Sequence, residues 1–173
     1  MMKFSVKQVF VVFAMFAVVL GILRGAQWVY LRSVVRSPLK ETIDHIHGVS
    51  QVAVTPQGGV TVTLTKNANL MSSYEAIESA GKSVLGHSLT NLVIDSRTNA
   101  AMNTVVNSLR LIVAQGEATG QYVSMNTAIH HLAAQHHLAA TVQLSNHHIF
   151  VSLQSHDHWL DEVMPLKLGG AGS

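Results

Sequence analysis

Apolar residues dominate the beginning of the chain, where positions 9–23 read VFVVFAMFAVVLGIL without a charge. A helix needs about 20 apolar residues to cross a bilayer, so this run alone is short. The helix becomes long enough if Arg24 extends its side chain to the interface, and Trp28 and Tyr30 suit headgroup depth. The pattern predicts an uncleaved transmembrane anchor over residues 8–31, in contact with membrane lipid.

Two other interpretations of this segment are a cleaved signal peptide and a helix buried in a soluble domain. The basic start MMKFSVKQ suits a signal peptide, but cleavage after Ala26 would place Arg24 where a small residue is required. Basic residues are nearly balanced on the two sides of the segment, and a short basic tail usually stays in the cytoplasm. We therefore expect a single-pass plasma-membrane protein with an extracytoplasmic domain.

Beyond the apolar run the chain changes to short segments of regular pattern. Pro38 is predicted to end the anchor helix, because proline disfavours helical geometry at the residue before it. Residues 37–48 are predicted to be a linker with a short amphipathic piece. Positions 49–54 and 60–64 then alternate in polarity across a turn-rich connection, which predicts a β-hairpin. Further strands are predicted at residues 92–94, 140–144 and 149–153.

Three helices are predicted from apolar residues spaced three and four positions apart. They cover residues 70–85, 98–116 and 121–138. The first begins with a capping-box pattern, Ser72 and Glu75, with Asn67 and Asn69 as competing caps, and ends at Gly86.

The order of these elements, ββαβ-αα-ββ, predicts an α+β domain of about five strands and three helices. Helices on one face of a single mixed sheet would bury the apolar positions. The chain divides into a cytoplasmic tail with transmembrane anchor (1–36), a linker (37–48), the α+β domain (49–166) and a flexible tail (167–173).

Composition excludes several classes of protein. The chain has 173 residues, of which 48% are hydrophobic and 12% charged, with a formal charge of +2. Its basic residues cluster beside the apolar segment and form no stripe among aromatic residues, so nucleic-acid binding is not expected. The absence of cysteine excludes disulfides, cysteine-ligated zinc and thiol catalysis.

Histidine is unusually frequent, with eleven residues against nine acidic ones. His156 and His158 form the best local pair for a metal, because alternate residues of a strand share one side, and His147 or Asp157 could be a third ligand. Solvated or partly packed side chains are the simpler explanation. Histidine gains a proton between about pH 8 and 5. If all eleven are protonated, the added positive charge would weaken self-association in acid.

No motif predicts catalysis or a cofactor. Gly81-Lys82-Ser83 resembles the end of a phosphate-binding loop, but it lies inside a predicted helix whose backbone N–H groups are already bonded. Ser152, His156 and Asp157 have the residue types of a catalytic triad, without a nucleophile elbow or an oxyanion loop.

Residues 49–95, with SQVAVTPQGGVTVTLTKNANLMSSYEAIES and NLVIDS, resemble the modules of ring-building-motif proteins. Those membrane-anchored domains stack side by side in secretion rings and in the sporulation channel. The whole chain also resembles single-pass, membrane-anchored α+β proteins of Gram-positive, endospore-forming bacteria. The resemblance implies an anchored domain that stacks on its neighbours, although ββαβ differs from the ring module's βαββα order. It carries over no functional residue.

These observations favour a membrane-anchored, non-enzymatic assembly or interaction domain of the cell envelope. Its partner would be a second copy of the chain or another envelope protein. An exposed strand edge, such as Val60–Leu64 or Ile149–Leu153, would be the natural contact. The alternative is an envelope domain that binds a metal or another ligand through its histidines.

Overall fold

Two small β-sheets organise the chain. The computed structural model describes residues 13, 15–25, 36–55 and 59–166. This part is α+β, as predicted, with five helices and two three-stranded sheets. Its elements are α1 (15–25), α2 (Ser37–Asp44), β1 (Val49–Val54), β2 (Val60–Leu64), α3 (Leu70–Leu85), β3 (Leu92–Asp95), α4 (Ala100–Thr119), α5 (Tyr122–Gln135), β4 (Ala139–Leu144), β5 (His148–Ser155) and β6 (His158–Pro165).

The first sheet has the order β1-β2-β3. β1 and β2 form the predicted antiparallel hairpin, from Val54 opposite Val60 back to a register shift between Val49 and Gln51. β3 pairs parallel to β2, and α3 supplies the crossover connection that a parallel pair requires.

Helix α3 has the bounds expected from the sequence, and its cap settles the competition among the predicted caps. The Ser72 backbone N–H donates to Asn69 Oδ1 over 3.0 Å, so Asn69 is the N-cap. Gly86 ends the helix at φ +75°, a left-handed conformation that favours glycine. Leu70, Tyr74 and Ile77 are buried toward the first sheet.

Residues 37–48, interpreted from the sequence as a linker, begin with α2. Pro38 lies in the first turn of this helix, where a missing backbone N–H costs nothing. Leu39 and Ile43 are four residues apart and fully buried in the first core, and the helix contacts β1 and α3. α2 is therefore integral to the core of the first sheet.

The second sheet is an antiparallel meander in the order β4-β5-β6. α4 and α5 pack on one of its faces, over a core that includes Leu109, Ile129 and Val151. Arg110 on α4 forms an ion pair of 2.9 Å with Glu162 on β6.

The prediction of a single mixed sheet of five strands is wrong, because the described strands form two three-stranded sheets. β3 runs on into an irregular segment that reaches the second sheet: the Trp159 backbone N–H donates to the Arg97 carbonyl over 2.9 Å. The Asp161 backbone N–H donates to Ser96 Oγ over 2.9 Å. The sixth strand, β6, was not predicted, because charged and apolar residues share its faces and obscure the period of two.

Strand β5 lies between the two cores. Ile149, Val151 and Leu153 face α4 and α5, whereas Phe150 on the opposite side of the strand belongs to the core of the first sheet. Both sides of the strand are therefore buried, and the two halves of the domain share it.

The predicted membrane segment is described over residues 13 and 15–25. Its eight large apolar side chains, from Phe13 to Leu23, are 50–73% exposed. Within the described ranges, no helix combines the length and apolarity needed to cross a bilayer. The rest of the predicted 8–31 span, including Trp28 and Tyr30, lies outside the described residues, as does the predicted tail 167–173.

Candidate functional site

The histidines proposed as metal ligands lie at different ends of the second sheet. His147 precedes β5, whereas His156 follows it and His158 begins β6. An eight-residue strand is about 26 Å long, so His147 is far from the other two. Among the residues that the structure describes, no group of three or more histidine, aspartate or glutamate side chains could hold a metal ion.

His148 is in a different environment, because it contacts the core of the first sheet. Its ring lies 5.1 Å from that of Tyr74, which in turn lies 5.5 Å from Phe150. Burial raises the pKa of the Tyr74 phenol to about 12, and the nearby negative charge and hydrogen bond of Glu78 add to this effect. This cluster is a packing contact between α3 and β5, and the sequence did not reveal it.

Ser152 and Asp161 form a polar pair across β5 and β6. They are directly opposite in the register, and Ser152 is one of the buried polar residues. Burial raises the pKa of the Asp161 carboxyl, and the hydrogen bond from Ser152 opposes that rise. The other two triad residue types, His156 and Asp157, lie in the turn after β5, whereas Ser152 lies within the strand and bonds Asp161.

The glycine of Gly81-Lys82-Ser83 has a packing explanation. The triplet lies inside α3, as the sequence predicted, and a Cβ atom at position 81 would be only 2.5 Å from Leu89 Cγ. The glycine lets Leu89 approach the helix closely, and no phosphate-binding loop precedes it.

A polar cleft of about 310 Å³ opens between the start of α3 and the face of the second sheet that α4 and α5 leave uncovered. Phe150 lies among its lining residues. Its polar side chains are all uncharged: Asn67, Asn69, Thr141, Gln143, Ser152 and Gln154. Gln154 Nε2 donates to the Lys66 carbonyl over 2.9 Å and fixes the loop over the strand. The cleft can donate and accept hydrogen bonds, but it holds no charged group that could act as a general acid or base.

The outer edge of β4 adjoins this cleft. β4 pairs with β5 at six consecutive positions, from Ala139 opposite Gln154 to Leu144 opposite Ile149. In the described part of the chain no strand pairs with its other side. Leu144 is 46% exposed. Unpaired backbone groups on such an edge can pair with another strand.

This result corrects the strand edges predicted from the sequence. Val60–Leu64 is β2 and Ile149–Leu153 lies within β5, and each is the central strand of its sheet. Their apolar side chains, such as Val62 and Val151, are buried and form no exposed contact.

The outer surface of α5 provides a second apolar feature. A groove of about 570 Å³ runs along one stripe of this helix, between Val123 and Gln135, and includes Ile112 of α4. Val123 is 82% exposed. The helix contains no lysine, arginine, aspartate or glutamate. Burial of this surface would therefore remove none of these charged side chains of α5 from water.

Comparison with protein-family models, with curated proteins and with solved structures found no match for this chain.

Proposed function

We propose that this protein is a membrane-anchored, non-enzymatic assembly domain of the cell envelope. The observation that carries the proposal is α1, whose apolar side chains are exposed on all sides of the helix. A helix that is apolar all round belongs in a protein core or in a membrane. Burying Phe13 and the seven large apolar side chains of α1 in lipid would gain on the order of 10 kcal/mol.

Assembly is the part of the proposal that the domain surface supports. No described strand pairs with the outer edge of β4, the groove on α5 is apolar, and neither β4 nor α5 has a lysine, arginine, aspartate or glutamate. The resemblance to anchored domains that stack side by side agrees with this function. We place the domain on the extracytoplasmic side, because the tail ahead of the apolar run is short and basic.

Anchoring is tested by alkaline carbonate extraction of membranes that contain the full-length protein. We expect the unaltered chain to remain in the membrane pellet. A double variant, Val18→Asp with Ile22→Asp, should be released, because each central aspartate costs about 2.5–3.5 kcal/mol in membrane insertion. Leu111→Asp is the matched control, since it changes a 71% exposed apolar residue of α4. Release of the unaltered protein would end the anchoring proposal.

Assembly is tested in the same membranes with an amine-reactive cross-linker. We expect adducts larger than the monomer, whose composition mass spectrometry then identifies. Recovery of monomer alone, with no partner, would contradict an assembly function. Proteolysis of the domain from outside intact protoplasts tests the orientation.

A further inference from the structure

We propose that β4 pairs with β4 of a second copy of this chain, in antiparallel orientation about Val142. The two second sheets would join into one continuous sheet of six strands. This inference rests on the proposed assembly function and names its contact surface. Three observations on β4 carry it: an outer edge that no described strand pairs with, its register and its lack of charge.

The edge of β4 lacks the devices that usually block a sheet edge. Its six pairings with β5 run without a bulge, and the strand contains neither proline nor a charged residue. The edge strand β1 of the first sheet differs, because its register shifts between Val49 and Gln51. β6 is engaged on its far side, where its backbone bonds Ser96 and Arg97.

The residues of β4 complement their own copies in one register. Directly opposite residues of an antiparallel pair face the same side of the sheet. With the two-fold axis at Val142, that residue meets its own copy, and Ala140 meets Leu144 on the face that carries α4 and α5. On the cleft face Thr141 meets Gln143, so apolar residues face apolar ones and polar residues face polar ones.

This register also accounts for the exposure of Leu144. The side chain is 46% exposed in one copy, although it points to the same face as the buried Ile149 opposite it. Pairing about Val142 covers it with Ala140 of the second copy. Pairing about Thr141 would instead put Leu144 opposite Leu138, which precedes β4 and is already buried.

The lack of charge favours a second copy over an unrelated partner. In a two-fold strand pair the residues beside the axis lie close to their own copies, so a formal charge near Val142 would lie close to an identical charge. Anchoring in one membrane also raises the effective concentration of the copies.

Cysteine cross-linking tests this arrangement. The natural chain has no cysteine, so a disulfide between two copies can form only through the introduced residues. Two differently tagged full-length chains, Thr141→Cys and Gln143→Cys, are expressed together and oxidised in the membrane. We expect the mixed pair to form a disulfide at least fivefold more efficiently than Gln51→Cys paired with itself. Gln51 is the matched control, since it is an exposed residue of the edge strand β1.

Charge insertion gives a second, independent readout. Thr141→Lys places a cation on the cleft face beside its copy, and we expect it to reduce oligomer recovery in native gels at least fivefold. Gln51→Lys should leave recovery unchanged. Because Thr141 is exposed, we expect Thr141→Lys to unfold at a temperature close to that of the unaltered protein. That result would exclude misfolding of the variant.

The outcomes separate the inference from the proposed function. If oligomers form but the mixed cysteine pair gives no more disulfide than the Gln51 control, the β4 contact is wrong and assembly stands. If cross-linking in membranes returns only monomer, both fall.

Discussion

The role of α2 in the first core can be tested with the substitution Leu39→Ala. Leu39 is 0% exposed and packs with the core of the first sheet, one helical turn before Ile43. Replacing a fully buried leucine by alanine costs about 2–5 kcal/mol, from lost transfer free energy and the remaining cavity. The neighbouring Lys40→Ala is the control, since an exposed position changes stability by about 0.5 kcal/mol or less.

The assay is thermal unfolding of the full-length protein in detergent, followed by circular dichroism. One kcal/mol shifts Tm by about 2–4 °C in a chain of this size, so a loss of about 3 kcal/mol should lower Tm by about 6–12 °C. Lys40→Ala should stay within about 2 °C of the unaltered protein. Equal Tm values for the two variants would refute the assignment of α2 to the core and return residues 37–48 to a linker.

Three other substitutions test separate parts of the structure. Gly81→Ala should destabilise the domain by about 1–3 kcal/mol, because the new methyl group overlaps Leu89; a denaturant midpoint equal to that of the unaltered protein would contradict this packing. Tyr74→Phe should remove a phenol that ionises near pH 12 from an ultraviolet titration. The pKa of Tyr74 is about 12 in the folded state and about 10 in the unfolded state, so its contribution to stability should fall as pH rises from about 10 to about 12. An ultraviolet titration of Tyr74→Phe equal to that of the unaltered protein would count against the burial of Tyr74. Asp161 also has a folded pKa above its unfolded value, so its contribution to stability falls as pH rises through the carboxyl range. Asp161→Asn should flatten that part of the stability profile, and an unaltered profile would disprove the effect.

Local periodicity was sufficient to predict most elements of the domain, although not β6. β1, β2 and α3 have the predicted bounds, because alternation, helical spacing and Gly86 are all local signals. The start of α4 shows the limit of such signals: the helix was predicted to begin at residue 98, whereas Asn99 is its N-cap and Asn99 Oδ1 accepts the Met102 N–H over 2.9 Å.

Pairing between distant strands could not be predicted from periodicity. The division into two sheets depends on contacts such as Arg97 with Trp159, which are far apart in the sequence. The same limit applies to the candidate sites. The apolar residues of β2 and β5 are buried because both are central strands, whereas the uncharged edge of β4 looks ordinary in the sequence. His147 and His156 are near in the sequence but lie at opposite ends of β5.

The position of β5 between the two cores has a consequence for how the domain loses its structure. Separation of the halves would expose Phe150 to water, and removal of α4 and α5 would expose Ile149 and Val151 on the same strand. Neither half keeps a closed interior without the other. We therefore expect calorimetry to give one cooperative heat-absorption peak, and damage to either layer to shorten the lifetime of the whole domain.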